Sequence, residues 1–241
     1  MRVRVMAATM VGASVVAMGL GGWSRLAGGD PVEFARTQMY IEYNASAGDI
    51  GVQVSMDGDP WRQLRVFRPD GKLIMEVKGK KSLALQGFTE LFFESSEPPL
   101  ATLPLPVFFA RFPAGCYEFE GVTIEGEEIE GTAHFTHAIP QKPVVLAPVE
   151  GSVQNASNTM VVWLPVPNPA GSEIVAYQVT VTQVLDVLPK RVFSVHVPAG
   201  TASMKVPQQF LQKGAEYEFE VLAIEAGGNQ TIHAGFFSTA P

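Results

Sequence analysis

Asp49, Asp57 and Asp59 fall within eleven residues, beside turn-forming sequence. Carboxylates on loops are the ligands a hard cation such as calcium requires. Their spacing matches no calcium loop, and aspartate is also an ordinary turn residue, so a cation site and plain turn chemistry both stand as readings. His134 and His137 offer two imidazoles, but residues three apart on a strand point to opposite faces, so they predict no zinc site. The single cysteine, Cys116, has no basic neighbour in sequence to stabilise a thiolate. A GxSxG nucleophile elbow is absent, and no carboxylate pair stands out among the many acids. The sequence therefore identifies no catalytic, cofactor-binding or metal-binding residue, and it predicts a non-enzymatic protein without a cofactor.

Charge is grouped. Glu118, Glu120, Glu125, Glu127, Glu128 and Glu130 form an acidic stretch, and Arg62, Arg65, Arg68, Lys72, Lys78, Lys80 and Lys81 form a basic one. Either these are solvated strand faces, or they make a polar docking surface in which charge steers encounter. Trp61, just after a turn, offers a platform for a sugar ring or an anchor for a protein interface. The phenylalanines near 91–93 and 108–109 read as core. Sequons stand at Asn44, Asn155 and Asn229.

The elements that position these residues are strands. Residues 174–182 (IVAYQVTVT) alternate, with Tyr177, Val179 and Val181 on one face, and 217–224 (YEFEVLAI) begins the same way. Strand patterns also fall at 159–163, 192–197, 203–206 and 231–237, separated by turn signals such as PNPAG and GGN. In the N-terminal half, strands are predicted at 39–43, 50–56, 63–67, 72–77 and around 91–93, with a turn at 57–60. One short helix is expected within 103–112, followed by a hairpin over 116–137. Strands at this spacing without long amphipathic helices imply a sandwich. Three prolines in 138–149 suit an extended linker.

Trp163 followed by Pro165 and Pro167, Ile174-x-x-Tyr177-x-Val179, and above all Leu211-x-x-Gly214-x-x-Tyr217-x-Phe219-x-Val221 follow one another in this order. In these motifs residues 142–241 resemble a fibronectin type III module. The resemblance implies the family's fold, with Tyr217 as a "tyrosine corner" whose hydroxyl bonds back to upstream backbone. No Arg-Gly-Asp adhesion tripeptide is present.

An internal match extends this to the other half. YEFE occurs at 117–120 and again at 217–220, and Ile124-Glu125 repeats as Ile224-Glu225. Two sandwiches with equivalent closing hairpins are thus expected, with Tyr117 and Phe119 inward and Cys116 near solvent. The predicted fold is all-β: two tandem Ig-like or fibronectin type III-like sandwiches, 30–141 and 142–241, after an N-terminal signal segment.

That segment, 1–29, opens with Arg2 and Arg4 and is uncharged from Val5 to Ser24. Its small residues suit a cleaved export signal, although twenty uncharged residues could also serve as an anchor. A secreted or periplasmic location follows. Removing 1–29 takes away three arginines and no acid, so the formal charge moves from −7 to −10. Such acidity disfavours nucleic acid and anionic bilayers and suits solubility, a cation or a basic partner. The functional expectation is a binding or scaffold protein for a protein or glycan partner. The alternative is an accessory carbohydrate-binding protein working beside secreted enzymes.

Overall fold

The computed structural model describes residues 30–186 and 189–241. The signal or anchor reading of 1–29 lies outside the described residues. The chain is all-β, and two separate hydrophobic cores form, one from residues between Val32 and Ile139 and one from residues between Val145 and Phe237.

The N-terminal sandwich contains β1 (Val32–Glu33), β2 (Arg36–Asn44), β3 (Asp49–Phe67), β4 (Leu73–Lys78), α1 (Ser82–Gln86), β5 (Phe88–Glu94), α2 (Leu105–Arg111), β6 (Gly115–Thr123) and β7 (Glu128–Phe135). The C-terminal sandwich contains β8 (Val144–Ala147), β9 (Ser152–Gln154), β10 (Met160–Leu164), β11 (Ile174–Gln183), β12 (Val192–Pro198), β13 (Ser203–Lys205), β14 (Glu216–Glu225) and β15 (Gln230–Thr239). Helix α2 falls where one was expected. Helix α1 is a second one; at five residues with none buried, it is too short and exposed to leave a periodic signal.

The two sandwiches share a wiring plan. In the C-terminal one, β9 pairs parallel with β15, which pairs with β14, then β11, then β12; β10 is flanked by β8 and β13 in a second sheet. In the N-terminal one, β1 pairs parallel with β7, then come β6, the second half of β3, and β4. The first half of β3 is flanked by β2 and β5. Every C-terminal strand thus has an N-terminal counterpart, with one difference. Where β10 and β11 are separated by the proline-rich loop 165–173, their counterparts are fused into the 19-residue strand β3.

The turn expected at 57–60 is therefore not a reversal. Asp57-Gly58-Asp59-Pro60 carries the chain from one sheet to the other, with register shifts around Trp61 as β3 changes partners. Gly58 is needed there, because a Cβ would lie 2.9 Å from the Phe34 ring.

The closing hairpins correspond residue by residue. Tyr117, Phe119, Tyr217 and Phe219 are all buried, as alternation demands. Phe119 lies opposite Gly131 and Phe219 opposite Gly235. A Cβ on Gly235 would come within 2.6 Å of the Phe219 ring, so the missing side chain makes room for it. The Tyr217 hydroxyl accepts a hydrogen bond from the Gln212 N–H at 2.7 Å, the back-bond of a tyrosine corner. The Tyr117 hydroxyl donates to the Pro113 carbonyl at 3.1 Å. Cys116 is exposed on the outward side of β6.

Candidate functional site

The sandwiches meet along a backbone seam. The end of β2 pairs parallel with the start of β15, Glu42 opposite Gln230, Tyr43 opposite Thr231 and Asn44 opposite Ile232. One sheet therefore runs through both sandwiches. Asn229, only 1% exposed, fastens the seam. Its Oδ1 accepts from the Ile41 N–H at 2.8 Å, and its Nδ2 donates to Thr136 Oγ1 at 2.8 Å and lies 3.4 Å from the Ala138 carbonyl. Its own N–H donates to Oε1 of the buried Glu225 at 2.8 Å. Further bonds reach the linker: Thr231 Oγ1 donates to the Pro140 carbonyl at 2.7 Å, and His233 Nδ1 donates to that of Pro143 at 2.8 Å. Burial holds the His233 pKa below its ordinary value. The proline-rich stretch is thus pinned at several points. The Asn229 sequon lies inside this network, where its amide has no room for a glycan.

Beside the seam, on the outer face of the shared sheet, register gathers carboxylates from three segments. Tyr40 and Glu42 lie on β2, Gln53 on β3 opposite Tyr40, and Glu94 on β5 opposite Gln53. Glu97 follows β5 and folds back over Gly51, where a Cβ would lie 2.8 Å from its Cγ. Oxygens of Glu42, Glu94 and Glu97 all lie within 4.8 Å of one another. The Tyr40 hydroxyl donates to Gln53 Oε1 at 2.6 Å, Gln53 Nε2 donates to Glu94 Oε1 at 3.4 Å, and Gln230 Nε2 donates to Glu42.

None of the three carboxylates forms a salt bridge among the described residues. Burial first, and then mutual repulsion, pushes Glu42 and Glu97 up to about 7; Glu220, on β14, is also raised, chiefly by burial. Such a cluster holds protons near neutrality. It also presents three oxygens of the kind a hard cation uses, although six to eight are typical for calcium.

The residues singled out by sequence end up elsewhere. Asp49 and Asp57 stand at opposite ends of the first half of β3, about 26 Å apart at strand rise, so the three aspartates do not form one site. Asp49 instead neighbours Glu97, whose charge it influences. His134 lies opposite Cys116 on the outer face of the β6–β7 hairpin, whereas His137 stacks on Phe109 with ring centroids 3.9 Å apart.

Trp61 is fully buried and stacked on Phe88 at 4.7 Å, so its face cannot meet a sugar ring. This removes the basis of the carbohydrate-binding alternative. The basic and acidic stretches are neighbours, since β3 and β6 pair with Arg65 opposite Glu120, and Arg65 also bonds Glu76 at 3.1 Å. Where β3 and β6 pair, the two stretches meet as strands of mixed charge.

Sequence reasoning missed the Glu42–Glu94–Glu97 cluster. Alternation places Glu42 and Glu94 outward, but only the strand register and the fold-back over Gly51 bring them together.

No protein-family profile and no curated protein matches the chain. Among solved structures it is similar to the FN1-FN3 domains of chicken CNTN1, with 13% identity, a TM-score of 0.35, and coverage of 88% of this chain and 69% of that one. It is also similar to a two-domain fibronectin type III segment from chicken tenascin, at 13% identity, a TM-score of 0.30, and coverage of 88% and 95%. The fibronectin type III-like assignment rests on the strand wiring and the tyrosine corner described above.

Proposed function

We propose that the chain is an exported, non-enzymatic binding or scaffold protein, built as domains 30–141 and 142–241 held in one fixed orientation. The seam carries this reading. Backbone pairing, the Asn229 amide and a pinned linker leave little freedom between the sandwiches, which is the property a spacer or a composite binding surface needs. The outer face of the shared sheet runs across the seam and presents Glu42, Glu94, Glu97 and Glu220, which favours a protein partner with a basic segment. No helix among the described residues is long and apolar enough to cross a membrane. Export rests on the reading of 1–29, and N-terminal sequencing of the protein recovered outside the cytoplasm tests it.

Limited proteolysis tests the rigid unit. Wild-type protein should resist cleavage within 138–149, and Asn229→Ala should be cut there roughly tenfold faster, in line with loss of buried hydrogen bonds. A wild-type linker that is cut readily, with Asn229→Ala no faster, would sink the proposal.

A further inference from the structure

The N-terminal sandwich is open between the edges of β4 and β5, and an apolar cavity of about 210 Å³ lies there. Met39, Val52, Val54 and Val66, each at most 2% exposed, form its floor, and Ile74, Met75, Phe93 and Phe112 surround its mouth. Voids larger than a water molecule are few in protein cores, because each one forfeits dispersion contacts. An apolar cavity of about 150 Å³ already stays dry and takes up benzene.

The lining offers a ligand no charge and no free hydrogen-bond donor from its side chains. Its one polar side chain is Ser95, whose Oγ accepts from the Val52 N–H at 3.0 Å and donates to the Ser96 carbonyl at 3.1 Å. The corresponding edge of the C-terminal sandwich is packed: Phe193 of β12 lies against Phe210 at 6.1 Å, and Phe210 against Tyr217 at 5.8 Å. Two methionines line the N-terminal cavity, and their polarizable thioethers adapt to irregular apolar guests and favour aromatic contact.

We infer that this cavity is a binding site for a small uncharged apolar molecule, of the size of a single aromatic ring with a short alkyl substituent. An ionised ligand is excluded, because nothing in the lining would compensate for burying its charge.

Methionine-methyl NMR of the labelled chain tests this, with benzene as probe. The methyl signals of Met39 and Met75 should shift saturably, while those of Met160 and Met204 in the other sandwich stay in place. Benzoate at the same concentrations should produce no such shift. Val54→Phe, which places a ring in the cavity, should abolish the benzene response with the Met160 and Met204 signals unchanged. If Val54→Phe does not fold, Val66→Leu should raise the half-saturating benzene concentration roughly threefold or more, since one methylene matters in a site this small. The inference is overturned if the Met39 and Met75 signals do not move, if all four methyls move together, if benzoate binds as well as benzene, or if the filled variant still responds.

Discussion

The two sandwiches are wired alike, yet they differ at two places. The C-terminal one separates its sheets with the loop 165–173 and packs its open edge with Phe193 and Phe210. The N-terminal one fuses the equivalent strands into β3 and leaves a cavity behind β4 and β5. The lesson is that a sandwich is defined by its strand pairings and closing hairpin. The corner between sheets and the plug at the edge can vary independently, and in the N-terminal sandwich it is the edge variant that leaves the cavity.

The closing hairpins give the largest test of that comparison. Phe119→Ala and Phe219→Ala each remove a ring that is at most 1% exposed. Each should lower stability by about 3–5 kcal/mol in urea unfolding, because a cavity is left as well as surface lost. A large effect at one position and a negligible one at the other would break the equivalence.

The tyrosine corners should separate the two more finely. Tyr217→Phe strands the Gln212 N–H and should cost about 1–3 kcal/mol. Tyr117→Phe removes a donor from a carbonyl, which has a second lone pair, and should cost only about 0.5–1.5 kcal/mol. Equal costs would mean that the two hydroxyls do the same job despite their opposite hydrogen-bond sense.

The acidic cluster predicts a pH signature. Glu42 and Glu97 titrate near 4.5 when unfolded and at about 7 in the native protein. Between those values the native state binds more protons than the unfolded one, so their contribution makes stability fall as pH rises from about 4.5 to 7. His233 acts in the opposite sense: its folded pKa is depressed, so its contribution rises with pH up to its ordinary value. Glu97→Gln should therefore raise the melting temperature at pH 7.5 relative to wild type and leave it nearly unchanged at pH 4. A variant that is no more stable at pH 7.5 would show that neither burial nor its acidic neighbours disfavour the charged form of Glu97.

The smallest expected effect is at Cys116. An exposed thiol should react stoichiometrically with a disulfide reagent in the native protein, and Cys116→Ser should change stability by less than about 0.5 kcal/mol. Slow or incomplete reaction would place the thiol inward and misalign the two hairpins.

Much of this fold is legible in the residues themselves. Alternation in 217–224, and its copy a hundred residues earlier, places Tyr117 and Phe119 inward and Cys116 outward, because side-chain direction on a strand depends only on parity. The continuity of β3 is not legible, since Gly58 and Pro60 serve a sheet-to-sheet bend as well as they serve a reversal, and only the partners of the flanking strands decide. Trp61 reads as a turn-flanking platform until that bend turns it inward onto Phe88. The Glu42–Glu94–Glu97 cluster and the Asn229 seam depend on pairings between segments far apart in the chain, and no local pattern encodes them. Asn229 is the clearest case: in sequence it is the first residue of a sequon, and in the fold it is the bolt between two domains.

The fixed orientation of the sandwiches is the claim on which the functional reading depends most. Residual dipolar couplings measured on backbone amides of both sandwiches in the intact chain test it directly. A single alignment tensor should fit the couplings from β3 and β6 together with those from β11 and β14. Two tensors of different magnitude would mean that the domains tumble independently and that the seam does not hold.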